Sequence, residues 1–300
     1  MIGRRDVPGF VGAGRVRRSR VVTVAALVAA AMVLASCETM MNMPTAGPGD
    51  DSASAASPAN LSSLTAVLAK NPNDPQAYNM RGSVLGQAGR YKEALADFDR
   101  AITLDPRYAQ AYANRGLVYR QMGQIEPALA DYDRALEIDP SYAVAHVGRG
   151  MVHRAKGDLL AALQDFNKAI QIRPDNAQAY YNRGLLYQSQ RQYQYAIDDF
   201  STAIGLSQQQ AEPYVARALT YLAIGDTKAA ADDLDDAVQM EPENIQAWTS
   251  RGLAYERQND REKAAGSYAK ALALRKDFQP AIDGFRRVGG ELGRTYTTFN

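Results

Sequence analysis

The sequence predicts an all-α solenoid in which helix–turn–helix units stack along one axis. From residue 75 to residue 278 the chain repeats itself every 34 residues without a gap, which gives six units. Alanine, the strongest helix former, is frequent in this region and β-branched residues are sparse. A unit of 34 residues cannot bury its apolar face alone, so we expect neighbouring units to share a continuous core.

Small and aromatic residues alternate at fixed positions of the repeat. Position 8 is Gly in five units and Ala in one, and positions 20 and 27 are Ala in all six. Small residues let the first helix (A) and the second helix (B) approach closely, while aromatic residues at positions 4, 11 and 24 fill the space beside them. Proline at position 32 ends helix B in four units. The six units are residues 75–108, 109–142, 143–176, 177–210, 211–244 and 245–278.

This order of aromatic, Gly, Tyr, Ala, aromatic, Ala and Pro resembles the tetratricopeptide repeat family, and the resemblance covers 204 of the 300 residues. It implies a right-handed superhelical α-solenoid that binds proteins and catalyses no reaction. It also implies that the helices A line the concave face.

Both ends of the repeat array carry predicted helices. Residues 61–74 match a lone helix B in register, with Pro72 at position 32, and form a predicted half-repeat. Residues 279–290 are predicted to form a capping helix A, whose Arg286 and Arg287 give it polar surface. Residues 291–300 are expected to be a loose tail.

The first 36 residues have the pattern of a secretory signal, in which a basic segment precedes a 14-residue apolar run, Val21 to Leu34. Fourteen residues are fewer than the roughly 20 that cross a bilayer, although a short transmembrane or buried helix is the alternative. The segment from Leu34 to Cys37 resembles the lipobox of bacterial lipoproteins, which implies cleavage before Cys37 and its lipidation. The translation start, at Met1 or near Val16, stays open.

Residues 37–60 are rich in Pro, Gly, Ala and Ser, and we expect them to be a disordered tether. Lipidation of Cys37 would place the protein in the cell envelope, anchored to a membrane only through its lipid. Glu38 follows the cysteine. The resemblance therefore favours the periplasmic face of the outer membrane over the inner membrane.

Composition and spacing argue against catalysis and against nucleic acid. Residues 37–300 hold 28 basic and 32 acidic residues, whereas nucleic-acid binding needs clustered Lys and Arg. His146 and His153 lie roughly 10.5 Å apart along one helix, too far to share a zinc ion. The chain has one cysteine and no recognisable phosphate-binding or hydrolase motif. We predict no enzyme activity, metal, cofactor or small-molecule substrate.

A charged pair recurs at positions 7 and 23. Because the sequence alone leaves both schemes open, the pairs can form within a repeat or between one repeat and the next. Either way we expect a structural ladder, which can fix the register of the repeats. Its members are Arg81, Arg115, Arg149, Arg183, Arg217 and Arg251 with Asp97, Asp131, Asp165, Asp199 and Asp233, and Ser267 stands at position 23 of the last unit.

Positions 5, 9 and 12 of helices A supply the candidate protein-binding groove. We expect a groove that is apolar in its middle and basic at two arginines, with an extended or helical partner segment lying in it. The alternative is that the position-9 residues only pack one helix A on the next. The candidates are Leu117, Arg120, Val147, Met151, Arg154, Tyr181, Leu185, Gln188 and Val215.

The resemblance to lipid-anchored tetratricopeptide proteins implies a scaffold that recruits envelope proteins, with peptidoglycan hydrolases as the favoured partners. A pilotin or an outer-membrane assembly factor of secretion or pilus machinery is the alternative. Two further classes are an enzyme, for which no residue cluster speaks, and a self-assembling structural protein, which would need an apolar end. Arg286 and Arg287 argue against such an end.

Overall fold

The computed structural model describes residues 58–291 and 293–296. Within these residues all regular structure is α-helical and comprises fourteen helices. The predicted signal segment, Cys37 and the tether up to residue 57 lie outside them. The helices are α1 (Pro58–Lys70), α2 (Pro75–Gln87), α3 (Tyr91–Leu104), α4 (Ala109–Gln121), α5 (Ile125–Ile138), α6 (Ala143–Lys156), α7 (Leu159–Ile172), α8 (Ala177–Ser189), α9 (Tyr193–Leu206), α10 (Ala211–Ile224), α11 (Thr227–Met240), α12 (Ile245–Arg257), α13 (Arg261–Leu274) and α14 (Gln279–Arg287).

Even-numbered helices are helices A, and each of those from α2 to α12 packs against the odd-numbered helix B that follows it in the same repeat. The first helix, α1, is a lone helix B, and it begins at Pro58, three residues inside the segment predicted as tether. Proline suits the first turn of a helix because its missing N–H has no partner there in any case. Asp74 caps α2 by accepting hydrogen bonds from the backbone N–H groups of Gln76 and Ala77.

Close contacts between glycine and aromatic rings hold the two helices of a repeat together. A Cβ added at Gly82 would lie 2.8 Å from the Phe98 ring, so a larger residue would separate α2 from α3. The same ring position also reaches across repeats, because a Cβ at Gly148 would collide with the ring of Tyr132 in the preceding repeat. This contact joins the core of the second repeat to that of the third.

Helices A and helices B behave differently along the stack. Each helix A contacts the helix A of the next repeat, whereas the helices B of neighbouring repeats make few or no direct contacts in the described part of the chain. The stack therefore curves with its helices A on the inside. Side chains that leave the helices A on this side share one surface, which we call the inner face.

The described tail residues return to the last helix. The Tyr296 ring meets the Phe285 ring edge-on at 5.8 Å, and its hydroxyl accepts a 2.6 Å hydrogen bond from the backbone N–H of Glu291. Arg294 lies 3.1 Å from the carboxylate of Glu262 on α13. In this described stretch of the predicted loose tail, the Tyr296 side chain packs against the end of the core.

Candidate protein-binding site

The structure forms the Arg–Asp pairs within repeats. In the first five repeats the Nε and Nη2 of the position-7 arginine each donate to one carboxylate oxygen of position 23, at 2.7–2.9 Å. Two parallel bonds to a buried carboxylate make this one of the stronger side-chain interactions in proteins. The pairs are Arg81–Asp97, Arg115–Asp131, Arg149–Asp165, Arg183–Asp199 and Arg217–Asp233.

The same arginines also connect neighbouring repeats, but through a position that sequence reasoning missed. Nη1 of each donates to position 25 of the preceding helix B, for example from Arg149 to Asp133 at 2.7 Å. Among the described hydrogen bonds of the ladder, no position-23 carboxylate accepts from the arginine of the next repeat. The position-25 acceptors are Thr65, Asp99, Asp133, Asn167 and Ser201 for the first five repeats.

Hydrogen bonding to the position-23 carboxylates raises the pKa of each ladder arginine in the first five repeats, whereas burial raises the pKa of the Asp131 and Asp233 carboxyls. Hydrogen bonding to Asp165 raises the pKa of Arg149, and hydrogen bonding to Asp131 does the same for Arg115. Burial raises the pKa of the Asp165 carboxyl, but the hydrogen bonds from His146 and Arg149 outweigh it and leave that pKa below its usual value. Because the guanidinium groups are engaged on both sides, the ladder offers no site for a ligand.

The two histidines are also structural. His146 is buried in the slot that Tyr or Trp fills in other repeats, with Nδ1 2.9 Å from Asp165 and Nε2 3.1 Å from the carbonyl oxygen of Pro140. His153 lies two turns further along the same side of α6. Within residues 58–291 and 293–296 no group of His, Cys, Asp and Glu side chains is arranged to hold a metal ion.

The apolar members of the predicted groove are buried. Val147, Met151, Tyr181, Leu185 and Val215 are each no more than 9% exposed. Close approach of consecutive helices A covers these side chains, so they form the floor of the inner face and hold the helices together. They do not present an open apolar wall, which corrects the expectation drawn from the sequence.

The remaining candidates are half-buried. Gln188 uses its amide to join α8 to α10, since Nε2 donates to the carbonyl oxygen of Ala216 at 3.1 Å and to Thr220 Oγ1 at 2.8 Å. Leu117, Arg120 and Arg154 lie on α4 and α6 and are partly open to solvent. The accessible part of the predicted groove is therefore its basic part.

Several buried polar atoms on the helices A lack a hydrogen-bond partner. They include Nε and Nη2 of Arg120, the hydroxyl of Tyr181, Oδ1 of Asn182 and Nδ1 of His153. In the described residues such atoms occur only on α4, α6 and α8, three consecutive helices A. Buried polar groups in native proteins are nearly always hydrogen-bonded, so their concentration in one place marks a site that a partner can complete.

Charges of opposite sign act on the hydroxyl of Tyr181. Burial raises the pKa of Tyr181, the nearby Glu212 raises it further, and Arg154 acts in the opposite direction. Burial also raises the pKa of the Glu212 carboxyl, which stands at position 2 of α10 and was not among the predicted residues. The inner face is thus basic over α4 and α6 and acidic at α10.

Four family models match the repeats. Models described as TPR repeat or tetratricopeptide repeat match residues 82–123 and 150–191, 109–142 and 177–209, 215–278, and 64–96. Together they cover residues 64–278 apart from two short gaps. The chain is a tetratricopeptide repeat protein. In this family the fold is typically a non-catalytic scaffold for protein interactions.

Solved structures share the fold of this tetratricopeptide repeat protein. The Cut9–Hcn1 hetero-tetramer of the APC/C matches with a TM-score of 0.71 and 18% identity over 78% of this chain, which spans about half (46%) of that one. PilF of Pseudomonas aeruginosa matches with a TM-score of 0.65 and 20% identity over 71% of this chain and 97% of PilF.

YrrB, described as a tetratricopeptide repeat protein with an unusual peptide-binding site, is also similar. It matches with a TM-score of 0.52 and 26% identity over 63% of this chain and 97% of YrrB. No curated protein sequence matches this tetratricopeptide repeat protein. None of its described helices combines the length and apolar character needed to cross a bilayer.

Proposed function

We propose that this tetratricopeptide repeat protein is a lipid-anchored scaffold of the bacterial cell envelope that binds protein segments on its inner face. The observation that carries the proposal is the set of buried polar atoms without a hydrogen-bond partner on Arg120 of α4 and on Tyr181 and Asn182 of α8. A bound segment would supply the missing hydrogen bonds and remove a cost of about 1–3 kcal/mol for each buried group left unsatisfied.

The similarity to YrrB supports a peptide as the ligand. YrrB is described by its peptide-binding site, and 26% of aligned residues are identical over nearly its whole length. A stack of helices also offers what an extended or helical segment requires, because its inner face presents the same positions again every 34 residues.

The proposed anchor rests on the sequence from Leu34 to Cys37. Lipid on Cys37, followed by a polar tether, would hold the solenoid at the periplasmic face of the outer membrane. Peptidoglycan hydrolases are the favoured partners there. A secretin or another component of secretion machinery is the alternative partner and would make the protein pilotin-like.

The anchor is tested by Cys37→Ala in cells fed radiolabelled palmitate. We expect label on the parent and none on the variant, together with release of the variant from the membrane fraction. Label that persists on the variant, or a parent that carries none, would refute the lipid anchor and leave the binding proposal intact.

The inner face is tested by photocrosslinking in cells. A photoreactive phenylalanine replaces Leu117 on α4 in one variant and Leu160 on α7 in the matched control, where the side chain is 72% exposed on a helix B. We expect an envelope protein to crosslink from position 117 and not from position 160. A hydrolase identifies a hydrolase adaptor, and a secretin identifies the pilotin-like alternative. Crosslinks that form equally from both positions, or from neither, would contradict the proposal.

A further inference from the structure

A cavity of about 700 Å³ lies at the carboxyl-terminal end of the stack. Its walls come from α13, α14 and the described tail residues, so none of the groove candidates on α4 to α10 takes part in it. Small-molecule sites in proteins have volumes of about 300–1,000 Å³, and this cavity falls within that range. The end of the solenoid therefore offers space for a small ligand.

The cavity exists because α14 is a helix A that no helix B follows in the described part of the chain. In each of the six repeats a helix B packs against the helix A before it. After α14 the chain instead turns at Gly289, whose φ of +76° favours glycine. Gly290 then packs so closely on the Phe285 ring that a Cβ would collide with it. The tail thus returns to α14 without filling the space that a helix would take.

The lining residues show that the cavity runs along α13. Ala269, Leu272 and Ala273 line it at a spacing of three and four residues, so they form one stripe, and Lys276 follows at the end of this stripe. A short connection, residues 275–278, joins α13 to α14, so the two helices are antiparallel. Lys276 consequently lies at one end of the cavity, and Arg286, near the end of α14, lies towards the other end.

The walls of the cavity are apolar. Leu272 and Tyr296 pack against the core, and Phe285 is 6% exposed. The Tyr296 ring meets the Phe285 ring edge-on at 5.8 Å, which fixes the wall that the tail provides. Ile282 completes the α14 side. Apolar groups gain free energy by leaving water, so these walls favour a ligand with an apolar body.

The solvent-exposed edge of the cavity is basic. Its charged lining residues are three bases and one acid, namely Lys276, Arg286, Arg294 and Glu291. The side chains of Arg286 and Arg294 are 75% and 51% exposed, and each pairs with one surface carboxylate. Exposed ion pairs of this kind are weak, so both guanidinium groups can turn to a bound anion. Because Arg294 pairs with Glu262 in the first turn of α13, it lies at the same end as Arg286. An anionic group is therefore favoured at this end.

Neither a second copy nor a membrane surface accounts for the cavity. Arg286 stands at position 8, where every repeat has Gly or Ala, so a helix B from a second copy could not approach α14 closely. A helix that lies on a membrane needs an exposed apolar face. Phe285 is buried, and Leu272 and Ile282 are half-buried in the cavity, so these side chains cannot enter a bilayer.

We infer that this cavity binds a free fatty acid, whose acyl chain lies along Leu272 and Phe285 and whose carboxylate meets Arg286 and Arg294. A guanidinium group donates in a planar fork that matches a carboxylate, and the acyl chain gains free energy by leaving water. The inference is independent of the proposed function, because neither Cys37 nor the groove candidates of the inner face contribute to the cavity.

The first test is photocrosslinking of the full-length protein, in one nonionic detergent throughout, with a palmitate analogue that carries a diazirine in its chain. We expect saturable crosslinks within residues 269–296, located by mass spectrometry. The methyl ester of the same analogue should bind about tenfold more weakly, because it cannot accept charge-assisted hydrogen bonds as a carboxylate does. An ester that labels these residues as well as the acid would overturn the proposed carboxylate contact.

A variant that fills the cavity tests its position. Ala273→Trp places a large side chain in the cavity and should abolish the crosslinks, and because Ala273 is exposed the melting temperature should match that of the parent. Ala130→Trp makes the same change at an exposed residue of another helix B, α5, and should leave the crosslinks unchanged. Crosslinks that survive in Ala273→Trp would overturn the site.

Two single-charge variants locate the carboxylate, and they remain informative if the tryptophan disturbs the fold. Arg286→Gln should weaken binding of the palmitate analogue by about tenfold, as loss of a charged hydrogen bond predicts. Lys276→Gln removes the same charge at the other end of the cavity and should weaken binding by less than about twofold. Equal losses in the two variants would contradict the proposed orientation of the fatty acid.

Two further measurements separate the other possible occupants. A diacyl phospholipid with the same photoreactive chain should label these residues only at background level, and labelling as strong as that by the palmitate analogue would overturn a free fatty acid as the ligand. Residues 297–300, which include Phe299, lie outside the described residues. Palmitate crosslinks that appear only after deletion of these residues would assign the cavity to the chain's own end and would overturn the proposal.

Discussion

The first five repeats and the sixth pair the position-7 arginine with different acceptors. In the first five, a position-7 arginine side chain that is 18–26% exposed holds the carboxylate of its own repeat with two hydrogen bonds. In the sixth, Ser267 replaces that carboxylate, and Arg251 is 1% exposed. Arg251 instead directs Nε to Asp235 of the preceding repeat and Nη1 to Ser267 at 2.8 Å.

This difference shows that the arginine belongs to two repeats at once. Each guanidinium group connects position 23 of its own helix B with position 25 of the preceding one. When position 23 loses its carboxylate, position 25 takes over as the charged acceptor. The sixth repeat therefore depends on its neighbour for charge compensation, whereas the earlier repeats compensate most of the charge internally.

The largest effect is expected for Asp235→Ala. The change removes a carboxylate acceptor of the fully buried Arg251 and also the acceptor of the Tyr255 hydroxyl, 2.9 Å away. Breaking a buried pair by removing one partner costs about 3–5 kcal/mol, so the free energy of unfolding in urea should fall by about 3 kcal/mol.

The control for this variant is Asp133→Ala, at the same position of the second repeat. Arg149 keeps the bidentate bonds to Asp165 there, and the Asp133 side chain is 54% exposed, so the expected loss is below about 1 kcal/mol. Equal losses in the two variants would contradict the view that only the sixth repeat depends on position 25.

A smaller effect, of about 2 kcal/mol, is expected for Asp165→Asn at neutral pH. The pKa of Asp165 is lowered in the folded protein, so the carboxylate stabilises the fold above its unfolded pKa, and this contribution disappears as the pH falls through the folded pKa. Parent and variant should differ by a constant amount from neutral pH down to about pH 5 and converge below about pH 4. Urea titrations across this pH range measure the difference in the free energy of unfolding. A difference that persists below about pH 4 would exclude the Asp165 carboxylate as its source.

The smallest effect is expected for Ser267→Asp, which gives the sixth repeat the carboxylate of the others. We expect a gain of about 1 kcal/mol, limited by the tight packing of a residue that is 0% exposed. The variant is more informative in combination. In the Ser267→Asp background, Asp235→Ala should lower the free energy of unfolding by less than half as much as it does in the parent. Strictly additive losses would show that the two acceptors do not share Arg251.

Much of the fold follows from the sequence because the repeat needs the same small residues at each close contact. Gly82 and Phe98 could be paired from their positions alone, and a Cβ added at Gly82 would lie only 2.8 Å from the Phe98 ring. Tyr296 could not be placed in this way, because it belongs to no repeat and its contact with Phe285 depends on how the chain turns after α14.

The candidate site was less accessible to sequence reasoning. Position 25 varies among Asp, Asn, Ser and Thr, so no constant residue revealed its role in the ladder. Burial of Val147 and Met151 depends on the spacing between consecutive helices A, which a single sequence does not encode locally. The basic pair Arg120 and Arg154 was recognisable from position 12 of the repeat. That the hydroxyl of Tyr181 is buried without a hydrogen-bond partner could be recognised only in the folded structure.

The junction between α1 and α2 differs from the others in a way that matters under mechanical load. There the Nη1 of Arg81 reaches only the neutral hydroxyl of Thr65, at 3.4 Å, whereas the corresponding bonds of the next four repeats measure 2.5–2.8 Å. When the chain is pulled from its amino-terminal side, α1 is expected to unfold first, while the remaining stack and its inner face stay folded.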